Sequence, residues 1–127
     1  MNRTLEKILL VEDDADIQSV GRLSLEAVGG FTVEVCSSGK EALQVAPNYS
    51  PDLILLDVMM PGMDGLTTYA ALRENPALRA TPVIFMTAKV QSHEVAHYQA
   101  LGALGVISKP FDPMSLADEI RALWNAH

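Results

Sequence analysis

Residues 53–65 read LILLDVMMPGMDG. Leu53–Leu56 is an unbroken apolar run without polar alternation, the pattern of a strand buried on both faces, as in a parallel sheet. An acid, Asp57, follows it directly. A helical pattern then runs from about Gly65 to Glu74, with Leu66, Tyr69 and Ala70 on its expected inner face. Asn75-Pro76 sets its end, because proline disfavours helix at the residue before it.

The same strand–helix unit recurs on either side. Apolar runs stand at Ile8–Val11, Phe31–Cys36, Val83–Met86 and Gly105–Ile107. Phe31–Cys36 alternates cleanly, which predicts an edge strand. The first helix is expected over about Ala15–Val28, with Ile17, Val20, Ser24 and Val28 facing inward. The second opens on a capping box, Ser38 with Glu41, and presents Ala42, Leu43 and Ala46. The fourth is expected to be capped by Ser92 and stopped by Gly102. The fifth is expected to start at Asp112-Pro113, an N-cap followed by proline, and to continue through Leu116, Ile120 and Leu123. Strict alternation of five strands with five helices predicts an α/β fold with right-handed crossovers: a doubly wound (βα)5, five-stranded parallel sheet of order 2-1-3-4-5, with helices on both faces.

Composition agrees. The chain has 127 residues, enough for one domain with its own core, and is 49% hydrophobic and 20% charged. A lone cysteine, Cys36, leaves no internal disulfide framework and fits a reducing compartment. A formal charge of −7 argues against phosphate-directed nucleic-acid binding and against anionic membrane surfaces. No stretch approaches the roughly 20 apolar residues of a membrane helix, and the N-terminus carries no apolar run of signal-peptide length. A cytoplasmic protein is expected.

On such sheets, ligands bind beyond the carboxyl ends of the strands. Strand one ends in Glu12-Asp13-Asp14, strand three in Asp57, strand four in Thr87, and strand five in Ser108-Lys109-Pro110. In the order 2-1-3-4-5 these four strands are consecutive neighbours, roughly 4.8 Å apart. Their carboxylates, hydroxyl and ammonium are therefore expected in one crevice. Clustered acids repel unless a cation joins them, and Mg2+ suits one or two carboxylates with a backbone carbonyl. Asp13 or Asp14 is expected to serve as a helix cap; capping does not need three acids and a fourth across the crevice. Asp57, beside a cation and Lys109, is a candidate nucleophile toward phosphorus. As the alternative, it opens an Asx turn. Thr87 offers its hydroxyl to a phosphoryl oxygen, and Lys109-Pro110 permits a cis peptide.

The pieces ILLVEDD, LILLDVMMPGMDG, VIFMTA and ISKPF, in this order and spacing, make the chain resemble a response regulator receiver domain, the flavodoxin-like phosphoacceptor module of two-component signalling. The resemblance implies a single receiver domain over residues 1–127. It implies Asp57 as the residue phosphorylated by a sensor histidine kinase or a histidine phosphotransfer protein. It also implies Mg2+ held by the side chains of Asp13 and Asp57, the backbone carbonyl of Met59 and, through water, Glu12. Lys109 then binds the phosphoryl group, Thr87 is the switch hydroxyl, and Lys109-Pro110 is cis. Output to a downstream effector or a homodimer is implied through the face of helix four, strand five and helix five. Tyr98, Val106 and Trp124 are candidates for that face; the alternative makes Tyr98 a single exposed aromatic and Trp124 core filling. Val106 stands where the family often carries an aromatic switch residue. Met59 and Lys89 occupy positions that tune phosphate loss, and the apolar Met59 predicts slow self-dephosphorylation. His93 and His97, one turn apart, are expected to be solvated.

Other readings compete. A small Mg2+-dependent phosphohydrolase using Asp57 would need a second acid two residues on, where Met59 stands. A nucleotide or flavin binder lacks a P-loop or GxGxxG pattern. A receiver that only docks, without phosphorylation, would have little use for the acidic set. The sequence is consistent with a stand-alone regulator or with a domain of a longer regulator or hybrid kinase.

Overall fold

The computed structural model describes residues 4–127, so residues 1–3 of the expected 1–127 domain lie outside the described residues. Five strands, β1 (Lys7–Val11), β2 (Thr32–Cys36), β3 (Leu53–Asp57), β4 (Val83–Thr87) and β5 (Gly105–Ser108), form one sheet of order β2-β1-β3-β4-β5. Every pairing is parallel. Five helices alternate with them: α1 (Ala15–Leu23), α2 (Gly39–Tyr49), α3 (Gly65–Glu74), α4 (Ser92–Ala100) and α5 (Leu116–Ala126). This is the flavodoxin-like, doubly wound arrangement expected from the alternation of runs.

The continuous apolar runs have a direct cause. Leu9, Val11, Ile54, Leu56, Val83 and Phe85 enter one core with Ala42, Ala46, Tyr69, Leu72 and Tyr98, from α2, α3 and α4. Ile8, Leu10, Leu53, Leu55, Ile84 and Met86 enter a second core with Leu116, Ala117 and Ile120 of α5 and with Leu25. Successive strand residues thus face opposite cores, and both need apolar side chains. The edge position of β2, with Thr32 and Glu34 exposed, explains its alternation.

Four local expectations are corrected. Val20 and Val28 of the first helical stretch are exposed; Ser24 is buried as expected, and Gly21 and Leu25 are buried in place of the two valines. Gly21 lets α1 approach β1 closely: a Cβ there would stand 3.1 Å from Leu10 Cδ2. Beyond it the helix widens into a π turn over Ser24–Val28, which shifts the face by a residue. On α3, Ala70 is exposed, whereas Thr68 and Leu72 join Tyr69 inside. The N-cap of α4 is Gln91, and Ser92 is its first residue. A turn follows Asp112, whose Oδ1 accepts from the Met114 N–H at 2.9 Å, so that α5 begins only at Leu116.

The remaining boundaries hold. Ser38 Oγ accepts from the Glu41 N–H at 3.0 Å. Asn75 is extended before Pro76, and Gly102 ends the α4 segment with φ +106.

Candidate functional site

Extending the strand ladders by one step assembles the site. The Glu12 N–H donates to Cys36 O at 3.0 Å, Val58 N–H to Met86 O at 3.0 Å, and Lys109 N–H to Thr87 O at 3.0 Å. Asp57 pairs with Met86 and Thr87 with Ser108 in register. The residues after each strand are thereby held at one edge of the sheet.

The acids divide their work. Asp14 is the N-cap of α1, its Oδ1 accepting from the N–H groups of Asp16 and Ile17 at 2.9 and 3.0 Å. Glu12 is buried; its Oε1 takes the Lys109 ammonium at 2.8 Å, and its Oε2 takes the Asp14 N–H at 3.1 Å. Asp13 is exposed. Asp57 is buried, its Oδ1 lying 3.2 Å from Lys109 Nζ and 3.4 Å from the donating Met59 N–H. Among the described residues, Asp57 Oδ2 is the buried side-chain oxygen left without a hydrogen-bond partner.

Carboxylate oxygens of Glu12, Asp13 and Asp57 lie within 4.8 Å of one another. Lys109 balances one of these three charges. Burial, partly opposed by Lys109, pushes the Glu12 carboxyl up to about 7. Burial also works against the charge on Lys109, yet the carboxylates of Glu12 and Asp57 outweigh it and leave its pKa above the ordinary value. Uncompensated charge, an open Asp57 oxygen and oxygen-only donors fit a hard divalent cation such as Mg2+.

Thr87 is buried at the end of β4, and its Oγ1 accepts from the Lys89 N–H at 3.0 Å. The Lys109–Pro110 peptide is cis. Met59 is 65% exposed at the rim. His93 and His97 are exposed, as expected. Tyr98 is buried, and its reading as an exposed aromatic is corrected: its ring packs 5.2 Å from that of Phe85. Val106 and Trp124 are half-buried.

Sequence reasoning missed Gln18. Its side-chain amide donates to the Glu12 carbonyl and, at 3.1 Å, to Ser37 Oγ, fixing the acidic turn from α1. Its position one helical turn after the Asp14 cap was the only available signal. A groove lined by Ile17, Val20, Pro110 and Phe111 beside Lys109 was equally unread. No helix among the described residues is long and apolar enough to cross a membrane.

A family model described as response regulator receiver domain matches residues 8–121. A probable C4-dicarboxylate response regulator of Priestia megaterium, DctR, is 40% identical over 112 residues, covering 87% of this chain and 48% of that protein. The solved structure of the chemotaxis response regulator CheY4 of Vibrio cholerae superimposes with a TM-score of 0.86 at 31% identity, covering 94% of this chain and 99% of that one. The signal receiver domain of a signal transduction histidine kinase from Syntrophus aciditrophicus gives a TM-score of 0.80 at 33% identity, covering 95% and 91%. The chain spans about half the length of the curated relatives it matches.

Proposed function

This chain belongs to the response regulator receiver domain family, and from that premise we propose that Asp57 accepts a phosphoryl group from a histidine kinase or a histidine phosphotransfer protein. The family is a signalling family of two-component systems rather than a class of enzymes; its members interact with histidine kinases and bind Mg2+ at an acidic pocket. One observation carries the residue assignment: the Lys109 ammonium sits between Glu12 and Asp57 while Asp57 Oδ2 has no partner.

The chemistry follows from those positions. The free lone pair of an Asp57 oxygen forms the new O–P bond as the P–N bond to the donor imidazole breaks, its electron pair returning to the imidazole. Lys109 faces the added phosphoryl charge and stays protonated, since its pKa is raised. Thr87 turns its hydroxyl toward a phosphoryl oxygen. Asp13 and Asp57, the Met59 backbone carbonyl and, through water, Glu12 would hold Mg2+, which when bound neutralises phosphoryl oxygens. Because the added group binds Thr87 and Lys109 better than the bare carboxylate does, phosphorylation shifts a conformational equilibrium. Its readout falls on the α4–β5–α5 face, where an effector or a second copy docks. A cytoplasmic setting and a single domain over residues 1–127 belong to the same proposal.

Phosphohydrolysis finds no support, because Met59, two residues after Asp57, supplies no general acid. The test is incubation with Mg2+ and acetyl phosphate, read by intact mass. Wild type gains one phosphoryl group, Asp57→Asn gains none, and Lys109→Ala gains it more slowly. Equal modification of wild type and Asp57→Asn would remove Asp57 from its role.

A further inference from the structure

Within α4, Tyr98 is the one buried residue. Val95 and Glu94 are partly buried, and the remaining side chains face solvent. The Tyr98 ring lies 5.2 Å from Phe85, and the Tyr69 ring of α3 lies 5.3 Å from Phe85 on the same core. The Tyr69 hydroxyl in turn donates to the carbonyl of Leu101 at 2.9 Å, pinning the last turn of α4. With its one buried side chain and the Tyr69 hydrogen bond both toward its far end, and only Glu94 and Val95 partly buried in its first turn, α4 has few contacts opposing displacement of that turn.

Phe85 connects this anchor to the site. It is fully buried, two residues before Thr87 on β4, and so points to the same face of the sheet. Thr87 touches the approach to α4 a second time, because its Oγ1 accepts from Lys89 in the loop leading to Gln91. Val106 pairs with Phe85 across the ladder. Being short and branched, it cannot span from β5 to the helix as an aromatic would. The aromatic bridge between sheet and helix is supplied from the helix itself.

We propose that Tyr98 is the positioning residue that couples the state of Asp57 to α4. When Thr87 moves toward a phosphorylated Asp57, the Lys89 hydrogen bond and the Phe85–Tyr98 contact carry the displacement into the first turn of α4, which swings about the pin at Leu101. That swing reshapes the groove of about 410 Å³ lined by Val90, Val95, Val106 and Leu123. The proposal rests on the assignment of Asp57 as phosphoacceptor.

The chain has three tyrosines, which makes fluorotyrosine labelling and fluorine NMR a direct test. Resonances are assigned with Tyr→Phe variants, and phosphorylation by acetyl phosphate and Mg2+ is followed by intact mass in the same tube. The Tyr98 resonance shifts on phosphorylation while that of Tyr49, on α2, stays. In parallel, amide exchange over residues 91–95 changes severalfold in wild type and in Tyr98→Phe, which keeps the ring. Tyr98→Leu still takes up phosphate but loses the exchange response. A phosphorylated wild type with an unmoved Tyr98 resonance, or a Tyr98→Leu protein with the full exchange response, overturns the coupling role. A wild type that gains no phosphoryl mass overturns the phosphoacceptor assignment, and the coupling with it.

Discussion

The ammonium of Lys109 donates to Oε1 of Glu12 at 2.8 Å, joining residues 97 positions apart in the chain. The contact crosses from the end of β5 to the end of β1, and Asp57, on β3, shares the same ammonium at 3.2 Å. One cation therefore serves two buried carboxylates, with Asp13 adding a third negative charge at the rim. The free protein holds this arrangement at a cost to folding, which can be read in two independent ways.

The first is pH. Glu12 is pushed up to about 7 by burial, against an ordinary value of 4.5. The folded protein thus binds a proton that the unfolded chain releases near pH 4.5, and stability must fall as pH rises through that window. In Mg2+-free buffer, thermal unfolding should show a loss of about 1–3 kcal/mol between pH 5 and 8 assignable to Glu12. Glu12→Gln, which does not titrate, should flatten the dependence. An equal slope in both proteins would remove Glu12 as its source. Lys109, with its pKa raised, stays charged throughout and contributes no slope there.

The second is removal of charge at Asp57. Its Oδ2 is buried without a partner, and Glu12 raises the local negative charge. Asp57→Asn removes one carboxylate and supplies an amide that can donate. It is expected to stabilise the metal-free protein by about 1–2 kcal/mol. Saturating Mg2+ should narrow or reverse the difference, because the cation then offsets the wild-type charge. Denaturant titrations with and without Mg2+ measure both, and a destabilised Asp57→Asn in the absence of metal would contradict the electrostatic account.

The legibility of this molecule follows from where its constraints are local. Leu53–Leu56 and Val83–Met86 face two cores at once, so their burial is written as uninterrupted apolar sequence; alternation implies the parallel sheet, and the strand order is the common doubly wound one for five strands. Asp57, Thr87 and Lys109 end such runs, which made the site readable as well. What escaped depends on packing distance. Gly21 is buried because its lack of a side chain admits Leu10, and no hydrophobicity pattern marks that. The π turn at Ser24–Val28 displaces the helical period at Val28, whereas Val20, ahead of it, is exposed because α1 meets β1 through Gly21. Tyr98 stands among polar and small residues on a helix with almost no apolar face, and only the position of Phe85 reveals that it is buried.

With Asp57 as the proposed phosphoacceptor, Met59 is expected to bear on the lifetime of the phosphorylated state. It is 65% exposed at the rim of the site, and its N–H already reaches Asp57 Oδ1. A thioether neither accepts a proton from water nor orients it well. Loss of phosphate is therefore expected to be slow, and Met59→Asn or Met59→Glu should speed it severalfold by hydrogen-bonding the attacking water. Release of inorganic phosphate from the purified phosphoprotein measures this. A fast wild type, or variants no faster than it, would assign the rate to another group.

Gly65 ties the loop after Asp57 to the body of the protein. It opens α3, and its N–H donates to Val58 O at 2.9 Å. A Cβ there would stand 2.3 Å from the Asp57 carbonyl oxygen and 2.7 Å from Val58 Cα, both backbone atoms with little freedom to yield. Gly65→Ala must therefore push α3 away from β3 or bend the strand end that carries Asp57. Either route should cost about 2–3 kcal/mol, at the upper end for an overpacked site. Gly62, in the same loop, is the control. A Cβ at Gly62 meets nothing within 4 Å, and its φ of +74 exacts only backbone strain, about 1–2 kcal/mol. Gly62→Ala should keep its phosphorylation rate, whereas Gly65→Ala should lose both stability and rate because the clash falls on Asp57, the proposed phosphoacceptor. If the two variants prove equally competent, the close approach of α3 to Asp57 is not what positions the carboxylate.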